Sequence, residues 1–186
     1  MLDESLVLCR AIGEPEGTAF TLDGLARLAL VEGDHARASS SLKEALALAR
    51  KIGNVSATAA YLADFGIVAL HQSDYRLAAT LFEEALGFAP QVEDDLLTGE
   101  CLWGMAIVAA SSGEPVRAVR LWGAAEALGY ALHLHSDAIR LLQERLLALT
   151  RETLGRDAFQ VEWTTGQVMR REDAITYALA NNDAAS

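Results

Sequence analysis

The chain offers few side chains whose type and spacing could do chemistry. His133 and His135, in the stretch LHLHSD, are the only close pair among its four histidines. On an extended segment they would share a side; on a helix they would diverge. A closed site needs further ligands, and Asp137 is the sole acid nearby. The segment therefore reads as a linker, and no metal site is expected. Asp94 and Asp95 could form an acid–base dyad. They precede an apolar stretch, however, and a helix N-terminus favours acids on electrostatic grounds alone. Glu83 and Glu84 read as a solvated helix face, and His35 and His71 as solvated or partly packed groups at the ends of two helices. Cys9 and Cys101 stand far apart and read as small buried hydrophobes, not as a disulfide. There is no nucleophile elbow, HExxH or CxxC motif. The expectation is a chain that is not an enzyme and takes no cofactor. Three tryptophans, Trp103, Trp122 and Trp163, are the remaining candidates for a ligand cage.

These residues sit in a chain of 186 residues with a formal net charge of −11. Such a balance argues against a nucleic-acid surface, which recruits Lys and Arg, and against anionic lipid. At 52% hydrophobic, with only three prolines, the chain reads as folded and helical. The longest apolar run, Cys101 to Ala110, is about half what a membrane span needs. The opening MLDESLVLCR lacks a basic leader. A cytoplasmic location is expected, with no membrane contact and no direct nucleic-acid contact.

The organising feature is a repeat. The segments GDHARASSSLKEALALA from Gly33, SDYRLAATLFEEALGFA from Ser73 and GEPVRAVRLWGAAEALG from Gly113 recur every 40 residues. Upstream, Leu22, Leu62 and Leu102 correspond, as do Leu25, Phe65 and Met105, and Ala26, Gly66 and Ala106. Downstream, Ala38, Ala78 and Ala118 correspond, then Leu42, Phe82 and Trp122. Apolar residues spaced i, i+3, i+4, i+7 make each unit two amphipathic helices, with turns at Gly33, Ser73 and Gly113. Such a pair cannot bury its apolar face alone, so neighbours must stack. One step further back, Leu2 and Gly13 match Leu42 and Gly53, so the chain opens in the second helix of an incomplete unit. Leu25, Ala38, Phe65, Phe82, Met105, Ala118 and Trp122 form the expected core. Leu2, Leu6 and Ile12 of the opening helix lack an earlier partner, and contact through this helix with another copy of the chain, as a homodimer, or with an upstream repeat of a parent protein is expected.

The pattern resembles the tetratricopeptide repeat, best in the unit with Leu62, Phe65, Gly66, Ala69, Tyr75, Ala78, Phe82, Ala85 and Pro90. Arg50 and Tyr130 replace the terminal proline in the other units, and 40 residues exceed the family's usual 34, which calls for longer helices or turns. The resemblance implies an all-α, right-handed superhelical solenoid of antiparallel helix pairs. Residues 1–130 would hold the repeats (a partial unit over 1–13, then units at about 15–53, 55–93 and 95–130), and 131–186 a C-terminal helical cap. It also implies that first helices line a concave groove. Mapped onto this chain, the groove residues are Phe20, Asp23, Arg27, Ile67, His71, Glu100, Trp103 and Ile107, with Ala63 beside them. The Lys/Asn clamp of chaperone-binding relatives is absent. An apolar segment, a partner helix or a small effector fits better than an acidic C-terminus.

The tail has its own pattern. Ser136 caps a helix striped by Ile139, Leu142, Leu146, Leu149 and Thr153 and stopped by Gly155. A second helix runs from Asp157 past Phe159 and Trp163 and breaks at Gly166. A third starts near Arg171. The order RLWGAAEAL, LTRETLGRDAFQVEWTTGQVM, REDAITYALA looks like the end of the repeat region in large LuxR-type and NB-ARC/AfsR-like bacterial transcriptional regulators. Their phosphate-binding loop and recognition helix are not found in this sequence. The resemblance implies a non-catalytic module that binds protein or peptide, the sensor or scaffold part of such a regulator, with upstream regulator domains among its partners. The alternative is a small-molecule sensor using the same groove.

Overall fold

In a computed structural model of the chain, the described residues are 1–130 and 137–180, and His133, His135 and Ser136 lie outside them. The described residues form ten helices: α1 (Leu2–Ile12), α2 (Pro15–Glu32), α3 (His35–Ile52), α4 (Val55–His71), α5 (Tyr75–Gly87), α6 (Asp95–Ser111), α7 (Pro115–Ala127), α8 (Asp137–Leu154), α9 (Arg156–Gln167) and α10 (Arg171–Leu179). The molecule is an all-α solenoid in which α2/α3, α4/α5 and α6/α7 pair in sequence and each pair stacks on the next. The extra length of the units lies in the helices: α2 and α3 have 18 residues each, and α4 and α6 have 17.

Local chemistry repeats with the units. The turns at Gly33, Ser73 and Gly113 are all left-handed, with φ of 78°, 57° and 79°. Ser73 is the non-glycine among them and carries the steric cost of a Cβ in that region. Side chains at equivalent positions cap the helix N-termini. Asp34 accepts from the Arg37 amide at 2.9 Å and Asp74 from the Leu77 amide at 3.0 Å. Asn54 and Asp94 cap α4 and α6 in the same way. Asp95 pairs with Arg171 at 3.2 Å, so both members of the acid pair have structural partners. An ion pair recurs with the repeat as well, Arg10 with Glu44 and Arg50 with Glu84.

The core follows the register. Leu25, Ala38, Phe65, Phe82, Met105, Ala118 and Trp122 are all buried. The Phe82 ring fills the space between α4 and α6, and a methyl on Gly66 would stand 2.6 Å from it; Gly104 leaves room on the other side of the ring. Cys101 is buried and unoxidised, and burial pushes its thiol well above the usual range. Cys9 is only half-buried, contrary to expectation. Glu83 is not simply solvated either: it is half-buried, with one carboxylate oxygen lacking a donor.

The tail folds back onto the repeats. α8 packs on α4 and α6, α9 on α7, and α10 on α5, α6 and α7. Arg171 donates to the carbonyls of Ala89 and Val92 and to the Thr98 hydroxyl, tying α10 to the turn before α6. Arg117 reaches the Ala178 carbonyl at 2.6 Å. Two expectations are corrected. Gly166 does not break α9, which continues to Gln167; it is buried because α9 crosses the backbone of Arg120 closely there. Leu149 is exposed, and the buried side of α8 carries Ile139, Gln143 and Thr150.

Candidate functional site

The first helices of the units line an open groove of about 1180 Å³. α2 contributes Phe20, Asp23, Arg27 and Val31, α4 contributes Tyr61, Asp64, Ile67 and His71, and α6 contributes Leu96 and Glu100. Phe20 is 72% exposed, and Val31 and Leu96 are also exposed apolar residues. Ala63 is fully buried and does not line the groove.

At the centre stands a charge cluster. The Arg27 guanidinium donates through Nε to Asp23 at 3.1 Å and through a terminal nitrogen to Asp64 at 2.9 Å. Glu100 lies within electrostatic reach of this group. Its carboxyl is pushed up to about 7, chiefly by burial, with Arg27 opposing and Asp23 and Asp94 adding to the rise. Burial also raises the Asp64 carboxyl well above the usual carboxylate range; Arg27 opposes this, while Asp23 and Glu100 reinforce it. Asp23 is only 7% exposed, and its Oδ1 has no hydrogen-bond donor. At the far end His71 lies against His35, ring centroids 5.3 Å apart and the planes tilted by 34°. Burial, then His35, pulls its imidazole below the usual value.

Six of the sequence-mapped residues line this groove: Phe20, Asp23, Arg27, Ile67, His71 and Glu100. Trp103 and Ile107 do not. Trp103 is 3% exposed, and its indole donates to Gln143 of α8 at 2.9 Å. Ile107 is completely buried. The chain's own α8 covers the α6 face that repeat register assigned to a ligand. Trp103, Trp122 and Trp163 do meet around a second cavity of about 310 Å³, with Tyr130, Glu126 and Gln143. The Trp163 indole donates to Glu126 at 2.9 Å.

Sequence reasoning missed Asp64, Tyr61 and Tyr130. Asp64 occupies the position of Gly24 and Gly104 in the neighbouring units, a place reserved for small packing residues. Its signal was available, since it is the single acid in helix α4. Among the described residues, no three His, Cys, Asp or Glu side chains are grouped to hold a metal ion. No helix among them is long and apolar enough to cross a membrane.

A family model described as tetratricopeptide repeat matches residues 18–91, the stretch from the first turn of α2 to just beyond α5. Over that stretch the chain is similar to tetratricopeptide-repeat proteins, a class of helical scaffold that generally mediates protein–protein interaction. No curated protein matches the chain.

Proposed function

We propose that this chain binds a protein or peptide segment in the groove of α2, α4 and α6, as the sensor and scaffold part of a cytoplasmic bacterial transcriptional regulator. The observation that carries this reading is the groove itself: it is a concavity lined from three successive helix pairs and flanked by exposed Phe20, Val31 and Leu96. Extended segments and helices dock on such surfaces by placing apolar side chains at intervals. The likeness of the tail to the end of the regulators' repeat region supports the regulatory setting. The test is selection of a random displayed peptide library against the whole chain. Peptides should be enriched, and Phe20→Asp should abolish their binding; failure to enrich any would reject the reading.

A small-molecule effector is the second reading, favoured by the convergence of buried polar groups at Arg27. A panel of small amines and acids screened by thermal shift separates it from the first. Self-association through α1 belongs to the same proposal, supported by the exposure of Val7, Leu8 and Ile12 and the lack of any buried residue in that helix. Sedimentation across a concentration range should show a dimer that Leu8→Glu dissociates.

A further inference from the structure

The groove gathers more carboxyl groups than its own cation can pair with. Among the residues lining it, Arg27 is the one Arg or Lys, against Asp23, Asp64, Glu93, Asp94 and Glu100. A purely structural ion pair would need one carboxylate, or two sharing a guanidinium. Here Asp23 and Asp64 already share Arg27, and Glu100 faces the same group as a third. Asp23 Oδ1 is buried without a donor, a state that costs free energy unless a donor arrives. Surplus carboxyl groups and an unmet acceptor in one concavity mark a binding site better than a structural network.

Resting on the peptide-binding reading above, we infer that the groove takes a lysine or arginine side chain from an otherwise apolar partner segment, seated against Asp23, Asp64 and Glu100. Among the described residues these carboxylates do not form a three-ligand metal cluster, and the occupant in this inference is an organic cation. The groove, at about 1180 Å³, exceeds the ordinary size of a small-ligand pocket, roughly 300–1,000 Å³, which favours a peptide over a free amine. Exposed Phe20 and Val31 on one side and Leu96 on the other suit the methylene stem of the basic side chain and its apolar neighbours. Arg27, with its side chain 63% exposed, can shift aside while still holding one acid.

Binding should follow pH. Glu100 is faced by Asp23 and Arg27 of α2, Asp64 of α4 and Asp94 at the start of its own helix. With its carboxyl at about 7, Glu100 must release a proton before it can pair with an incoming cation, and Asp64, raised by burial in the same direction, must do so too, so affinity rises as pH climbs through that value.

The test uses the library selection near pH ~8 on the whole chain, followed by affinity measurement on the enriched peptides. Enriched sequences should carry a Lys or Arg between apolar residues. Glu100→Gln and Asp23→Asn should each weaken them about tenfold or more. Their affinity should fall about tenfold on going to pH ~6 in the parent chain, and less in Glu100→Gln. Should Asp23→Asn fail to fold, Glu100→Gln carries the test, with a thermal melt verifying its fold. Enriched peptides without basic residues, or indifferent to the folded variants, would overturn this inference while leaving peptide binding intact. No enrichment at all would overturn both. n-Butylammonium binding as tightly as the best peptide would overturn the peptide assignment in favour of a small amine.

Discussion

Asp23 and Trp103 stand at the same position of their repeats, two units apart, and have opposite fates. Asp23 lines an open acidic groove beside Arg27. Trp103 is sealed under α8 and bonded to Gln143. Arg27 and Ile107 differ in the same way: the first is exposed at the groove, the second is wholly buried. The helix pairs that hold these residues are alike. What differs is the neighbour, since α8 packs on α4 and α6. A repeat position therefore specifies where a side chain stands, not whether water or protein lies above it. One end of the concave face serves as a surface, and the other has become core.

Substitutions that test this contrast should have very unequal effects. Trp103→Ala should cost ~3–5 kcal/mol as a full truncation of a buried aromatic, with a further penalty for leaving Gln143 without its donor. Chemical denaturation measures this, and a loss below ~1 kcal/mol would mean that α8 does not bury that face.

Glu100 should make the groove end pH-sensitive. Its carboxyl stands near 4.5 when unperturbed and about 7 in the fold. The native state thus keeps a proton that the unfolded chain releases. Stability should be highest below about 4.5 in this contribution, fall as pH rises to about 7, and level off above it. The total change is ~3 kcal/mol at most. Glu100→Gln should flatten the slope without abolishing it, because Asp64 is shifted in the same direction. Urea unfolding across this range provides the comparison. Equal slopes in parent and variant would contradict the burial of Glu100.

The turns offer a gentler comparison. Gly33 and Gly113 adopt the left-handed region freely, whereas Ser73 pays for its Cβ there. Ser73→Gly should raise stability by ~0.5–1 kcal/mol, the steric relief exceeding the added chain entropy. A lower denaturation midpoint would reverse that balance. Smallest of all, Phe20→Ala should change stability by less than ~0.5 kcal/mol, because Phe20 is exposed. The same substitution should weaken peptides bound in the groove, a separation of stability from binding that Trp103→Ala cannot show.

Much of the molecule was legible in the amino-acid order. Matching residues at 40-residue spacing located the turns at Gly33, Ser73 and Gly113, and the buried set from Leu25 to Trp122. The reason is physical: a helix pair must bury one stripe, and identical stripes in fixed register can only do so by stacking. Short-range rules also served the tail, where Gly155 separates α8 from α9 and Arg171 opens α10. Tertiary structure alone decided what lies across the stack. The pairing of Arg27 with Asp64 joins different units, the crossing of α9 over Arg120 makes Gly166 a contact instead of a stop, and the docking of α8 turns Trp103 inward. Periodicity within a helix encodes which face is apolar; it carries no information about which distant segment will cover that face, because that choice depends on the shape and charge of surfaces that exist only once the helices have packed.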